Sequence, residues 1–440
     1  DAAPCLPCPC FLFVSVQDLV PRPTVTISWL SSSLFCLNIS GKVCKQDIPT
    51  YRLTYLVCSI HDKIFAIKKK IMNTKIDSIE IAGFKSIAKN RPLHLTLGDV
   101  NILLGPNGAG KSNIISFFRM LNFMMSGTLQ NFVATNGTNQ AFLHFGAKVT
   151  PSINATIRLR GSKDIDVYSF MLTPAAGGRL ILNKEEIAWQ RHGKNKPIKK
   201  ELVSNFLESG LVNSNDKTGV VLRTILSRCK AFRFHDSSMG GPLRQASLAA
   251  GAQYLQSEGN NLGAFLYFLK NNYEQAYRRI VSYVKMVMPQ FGDFYLEPVN
   301  NYVSLNWTDS SANDYVFTSD QFSDGTIRFI ALATLLLQPA KTMPSVIIVD
   351  EPELGLHPFA IDQLAEMIKD ASLHSQVIIA TQSPMLIDSF EPGDITVIDQ
   401  DRNKNSTVAH RLDAEQLKHW LEDYTVSELW VKNVIGGLPL

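Results

Sequence analysis

Eight residues constrain this chain more than any others: Gly105-Pro106-Asn107-Gly108-Ala109-Gly110-Lys111-Ser112, a match to G-x-x-x-x-G-K-[ST]. An apolar run, Val100 to Leu104, leads into them, and an apolar segment of helical character, Asn113 to Met125, leads out. Strand, glycine turn and helix in that order make a P-loop. The glycines let backbone N–H groups converge on phosphate oxygens, and the helix adds the positive end of its dipole. Asn107, Gly108, Ala109, Gly110, Lys111, Ser112 and Asn113 are therefore candidate nucleotide-binding residues. In that frame Lys111 reaches the β- and γ-phosphates of ATP and Ser112 ligates Mg²⁺.

The 440 residues leave room for two or three domains, and 45% hydrophobic with 19% charged residues is ordinary for a globular chain. No apolar run approaches the 18 or more residues of a membrane span. The formal charge of +4 comes from the stretch before Met72, the first methionine. That stretch holds eight Lys/Arg against four Asp, which leaves 35 of each sign (43 − 8 and 39 − 4) in the remainder. Charge balance therefore says nothing about nucleic acid. Six of the seven cysteines lie in the same leading stretch, Cys5, Cys8, Cys10, Cys36, Cys44 and Cys58. Their spacing matches no zinc ribbon. Residues 1–71 are expected to lie outside the functional fold, as sequence upstream of a start at Met72. With one cysteine, Cys229, and a P-loop, the rest is expected to be cytoplasmic.

From Met72 the chain divides on this reading into 72–160, an N-terminal lobe with the P-loop; 161–320, a mixed insert; and 321–440, a C-terminal lobe. Alternation around Ile76, Ile79 and Ile81, and again at Leu93, Leu95 and Leu97, predicts two strands ahead of the P-loop. Residues 161–260 are the least legible. A basic loop with Arg191, Lys194, Lys196, Lys199 and Lys200 reads as solvated surface. Between Ala264 and Met288 apolar residues recur by threes and fours, which predicts one packing helix. In the last third, Ser323-Asp324-Gly325-Thr326 precedes an apolar helix, and Ser345 to Val349 is a β-branched run ending in Asp350-Glu351. A helix from Pro358 and a buried strand, Gln376 to Ala380, lead on to Thr381-Gln382-Ser383-Pro384. Buried strands alternating with helices mean an α/β fold with a mainly parallel, doubly covered sheet.

Two adjacent carboxylates at a strand end suit phosphoanhydride hydrolysis. Asp350 can hold the Mg²⁺ hydration shell opposite Ser112, and Glu351 can polarise the attacking water. Phe234-His235-Asp236 reads as a turn, because a His and an Asp adjacent in sequence seldom face one another. Cys229 lacks a nucleophile's setting.

GPNGAGKS, FSDGT at Phe322 to Thr326, VIIVDEPELGLHP at Val346 to Pro358 and ATQSP at Ala380 to Pro384 together resemble the ABC-type ATPase heads of the RecF/SMC class. The chain is similar in particular to stand-alone, RecF-like bacterial ATPases of the AAA family. The likeness runs over most of Met72 to Leu440, from Phe84-Lys85-Ser86 to the Leu429-Trp430 to Pro439 tail. It implies a P-loop NTPase fold with an antiparallel β subdomain and a helical insert. By this resemblance Ser323 and Gly325 are the signature that binds ATP held by a second copy's P-loop, so that ATP joins two heads head to tail. Glu351 is the general base, Glu353 to His357 the D-loop, and Gln382 takes the place of the switch histidine. Gln130 and Gln140 both remain candidates for the Q-loop. The resemblance also implies DNA repair, genome maintenance or anti-phage defence, with a DNA or nuclease partner and no membrane. A transporter's nucleotide-binding subunit is disfavoured by the 212 residues from Lys111 to Ser323; a nucleotide-gated scaffold with little turnover is the other alternative. No nuclease motif of the chain's own is visible.

Overall fold

The computed structural model describes residues 34–37, 43–46, 70–71, 73–193, 196–202, 206–401 and 405–437. The chain forms two compact units, Asp1–Ala66 and Ile67–Leu440. The first contains an antiparallel hairpin of Leu34–Leu37 and Val43–Gln46. The Cys5, Cys8 and Cys10 cluster, Met72 and Lys194 lie outside the described residues. Lys70 belongs to the second unit, where its ammonium pairs with Asp164 at 3.0 Å and with the buried Asp166 at 2.6 Å. The edge expected at Met72 thus falls inside this unit.

The second unit is built on a six-stranded sheet in the order Cys229–Phe232, Val346–Asp350, Gln376–Thr381, Val100–Leu104, Ile395–Asp401, Ser406–Arg411. The first five strands run parallel and the last antiparallel. Val100–Leu104 and Gln376–Thr381 are buried at every position, because both faces of the sheet are covered. Val346 and Ile348 share a core with Phe117 and Leu121 of the P-loop helix, Lys111–Met125. Ile347 and Val349 instead share one with Leu335 and Leu364, from the helices Asp324–Leu336 and Pro358–Ser372. Fully burying such side chains stabilises the fold by about 1.5–3 kcal/mol each. The β-branched run is what lets one strand serve two cores.

A second, antiparallel sheet has the order Leu93–Thr96, Lys75–Ala82, Ile153–Arg160, Asp164–Ala175, Arg179–Arg191, Ile198–Glu201. Burial alternates along Ile153–Arg160, with one face on the core and the other toward solvent. Phe170 on this sheet stacks on Phe117 of the P-loop helix, centroids 6.4 Å apart. The sheet continues across residue 160, so a division at that point separates paired strands. Edge strand Cys229–Phe232 likewise ties residues 161–320 into the central sheet. Within the insert two helices, Leu262–Asn272 and Glu274–Val287, stand where the apolar spacing predicts one. Tyr273, with φ −145°, breaks them apart. A three-stranded sheet, Phe291–Tyr295, Asn306–Asp309 and Ala312–Phe317, follows. The basic stretch at Lys199 and Lys200 is ion-paired with Glu186 and Asp216, at 3.1 and 3.7 Å. Among the described residues no helix is long and apolar enough to cross a membrane.

Candidate active site

Strand Val100–Leu104 delivers the chain to the glycine turn at the sheet's centre, and Gly110 caps the helix that follows. Gly110 has φ 114°, and a Cβ there would collide with the Thr407 hydroxyl, so glycine is required twice over. Asn107 and Gly108 are exposed at the tip of the turn, whereas Ala109 and Gly110 are buried. Lys111 is buried; its ammonium donates to the carbonyls of Gly105 at 2.5 Å and Pro106 at 3.0 Å. Burial lowers its pKa, and Glu351, Asp350 and Glu353 counter that. Asn113 donates from Nδ2 to the Ser86 hydroxyl at 2.7 Å.

The strand Val346–Asp350 lies one strand away from Val100–Leu104, across Gln376–Thr381. It carries Asp350 to within 3.4 Å of Ser112, Oδ2 to Oγ. A magnesium ion holds oxygens at about 2.1 Å, which puts neighbouring octahedral donors about 3 Å apart. Two hard oxygen donors at this separation fit that ion. Glu351 takes a left-handed backbone, φ 44°, rare for a residue with a side chain. Its amide continues the ladder to Ala380 O at 2.7 Å, and its Oε1 accepts from Gln382 Nε2 at 3.2 Å. Five side chains expected to act together are therefore brought to the ends of three adjacent strands: Ser112 meets Asp350, Gln382 meets Glu351, and Lys111 stays on the carbonyls of its own turn.

The signature residues are arranged differently. Ser323 is exposed and caps Asp324–Leu336; its hydroxyl accepts from Thr326 N at 3.1 Å. A Cβ on Gly325 would collide with Gly355 O, so the helix start and the D-loop are in direct contact. Arg328 reinforces this, donating to Leu354 O at 3.0 Å and to His235 O at 2.6 Å.

A family model described as "AAA domain, putative AbiEii toxin, Type IV TA system" matches residues 253–388, well under half of the chain. Its span holds Ser323, Asp350, Glu351 and Gln382. Among solved structures, one described as the SmcHead bound to the C-winged helix domain of ScpA matches with TM-score 0.53 at 15% identity. That match covers 78% of this chain and 99% of the other. An Smc head domain with an extended coiled coil, bound to the C-terminal domain of ScpA derived from Pyrococcus furiosus, matches with TM-score 0.50 at 13% identity, over 80% and 99%. The chain has the fold of an SMC-like ABC-type ATPase head. No curated protein matches its sequence.

In this fold the two Q-loop candidates are both occupied elsewhere. Gln130 Nε2 donates to Leu180 O and Leu207 O, each at 2.7 Å, and Gln140 Oε1 accepts from Ala147 N at 2.9 Å. Asp236 turns its carboxylate to Ser238 rather than to His235. Cys229 is buried, which pushes its thiol up to about 12. Asp324, which places a negative charge at the signature, is met by Arg244 at 3.2 Å. Arg244 is buried and also donates to Ser237 O, Ser319 O and Phe322 O. Sequence reasoning missed it, as it missed Thr407. The Thr407 hydroxyl donates to Ala109 O at 2.9 Å and contacts Ser86 Oγ at 2.7 Å, which braces the P-loop from behind.

Proposed function

We propose that the head binds ATP with Mg²⁺ and hydrolyses it between two copies of the chain. The observation that carries this reading is the contact of Ser112 with Asp350, with Glu351 next in sequence and held by Gln382. Asn107 to Asn113 would cradle the triphosphate. Lys111 would leave its two carbonyls for the β- and γ-phosphates, exchanging neutral acceptors for charged ones. Ser112 and Asp350 would hold the ion, which when bound neutralises charge developing between the phosphates. Glu351 would accept the proton of the attacking water. Gln382 would orient that carboxylate or donate to the γ-phosphate; it carries no proton or positive charge for the step.

Ser323 and Gly325 would close over the triphosphate of the second copy. Exposure of Ser323 and its place at a helix start support this, since free N–H groups and the helix dipole favour an anion there. The setting proposed is cytoplasmic DNA repair, genome maintenance or defence against foreign DNA, with DNA or a nuclease as partner. Glu351→Gln tests the chemistry. Phosphate release is expected to fall by about 100-fold or more, while light scattering with ATP shows a persistent dimer. Unchanged turnover would remove Glu351 from the role.

A further inference from the structure

Away from the nucleotide cradle, the second unit gathers three cations around one groove of about 290 Å³. Arg119 and Asn122 come from the P-loop helix, and Lys230 and Arg233 from the edge strand and the residue after it. Ser257, whose carbonyl accepts from Arg233 N at 2.8 Å, and Glu258 complete the lining. Lys230 donates to Asn122 Oδ1 at 3.2 Å. Among the described residues no carboxylate lies within ion-pair distance of Arg119, Lys230 or Arg233, and Glu258, the carboxylate in the lining, is exposed. The Nε of Arg233 is buried and has no hydrogen-bond partner. Burial, then the charge of Arg233, depresses the Arg119 guanidinium, and the charge of Glu258 offsets part of this. Neighbouring Lys85 is depressed by burial and then by both arginines.

Like charges held together beside an unpartnered guanidinium N–H are costly in the absence of an anion. We propose that this groove binds phosphate groups, carried by a nucleic-acid strand or by a small polyphosphate. Two guanidiniums present planar forks that match phosphate oxygens bidentately, and Lys230 adds a point charge. Phe123, on the same helix as Arg119 and 36% exposed, adds to the lining an aromatic ring of the kind on which bases stack. The groove is separate from the P-loop cradle. Arg119 is seven residues beyond Ser112, about 10 Å along the helix. Arg233 follows Phe232, whose register partner is Val349, so the groove borders the strand end that carries Asp350.

The test uses the full chain with its P-loop disabled by Lys111→Ala in every sample, so that neither probe reads that site. A labelled single-stranded oligothymidylate is followed by fluorescence anisotropy, and inorganic pyrophosphate by titration calorimetry. Arg119→Ala with Arg233→Ala is expected to weaken binding about 10-fold or more in one arm or both. It should also flatten the salt dependence of the oligonucleotide arm by about 1 to 2 in log–log slope. Glu258→Gln is expected to tighten the same arm a few-fold. Loss in the oligonucleotide arm alone identifies a nucleic-acid strand, and loss with pyrophosphate alone a small polyphosphate. Failure of the chain with Lys111→Ala alone to bind either probe overturns the proposal. So does undiminished affinity in both arms for a double variant that melts normally. Should the double variant not fold, Glu258→Gln decides, because unchanged affinity in both arms then overturns it.

Discussion

The cradle and the signature are finished to different degrees by a single chain. In the cradle, Lys111, Ser112, Asp350, Glu351 and Gln382 come from three adjacent strands and the helix start between them. Each already has a partner among the others or in the turn. In the signature, Ser323 is exposed and its hydroxyl engages only its own helix turn, while Gly325 is pressed against the D-loop. The first region is organised inward, around groups of its own chain. The second is rigid but displayed outward. That outward exposure of Ser323 is what the proposed contact with a second copy's triphosphate requires.

The largest effect expected from that contrast is in a mixing experiment. Ser323→Arg and Lys111→Ala should each reduce ATP turnover by about 100-fold, the first by blocking the lid and the second by emptying the cradle. Mixed in equal amounts, half of the dimers pair one of each. Every such dimer has one complete site, so about a quarter of wild-type turnover should return. Phosphate release over a range of mixing ratios reads this directly. A mixture as inactive as its components would mean that the two regions never meet across copies, and the contrast would lose its functional meaning.

A smaller effect tests whether the outward surface is rigid for the reason given. Arg244 anchors the turn before the signature through the carbonyls of Ser319 and Phe322 and ties it to Ser237 O, and Asp324 contributes to the same group while largely exposed. Arg244→Ala leaves those carbonyls without a donor and is expected to cost about 2–4 kcal/mol. Asp324→Asn, which removes a solvent-screened charge, should cost about 0.5 kcal/mol or less. Denaturant unfolding of both variants makes the comparison. Equal losses would put the weight on the ion pair instead of the carbonyl anchor.

Sequence carries these two regions unequally for a physical reason. The cradle's chemistry is local: glycines fix a turn, a β-branched run ends in two carboxylates, and each segment is recognisable alone. The strands at Val100–Leu104, Val346–Asp350 and Gln376–Thr381 are legible because double burial leaves them apolar apart from Asn101 and the end positions Asp350, Gln376 and Thr381. Arg244 and Thr407 act across 80 and 298 residues, on Asp324 and Ala109, and no spacing rule reaches that far. Edge strand Cys229–Phe232 is four residues long and half-exposed in its middle, too short for a period to register. The break at Tyr273 is invisible because the apolar spacing continues on both sides of it; only the backbone turns.

Glu353 joins the two regions, and its burial should make stability respond to pH. It opens the D-loop that touches Gly325, yet its Oε1 accepts from Thr381 Oγ1 at 2.5 Å, one residue before Gln382. Its other oxygen, Oε2, is buried without a partner. Burial raises its carboxyl above the ordinary 4.5; the Thr381 and backbone bonds pull it down, and the charge of Glu351 pushes it up again. A raised value means that the folded chain holds this proton more tightly than the unfolded chain does. The corresponding stability is fully present below 4.5 and is lost as pH rises through the folded value. Glu353→Gln keeps an acceptor for Thr381 and cannot ionise, so its melting temperature should gain on the wild type by a degree or two as pH rises, then level off. Thermal melts between about pH 5 and pH 8 measure the difference. A constant gap across that range would mean that the carboxyl is ionised throughout, and that the D-loop is held between cradle and signature by a charge rather than by a proton.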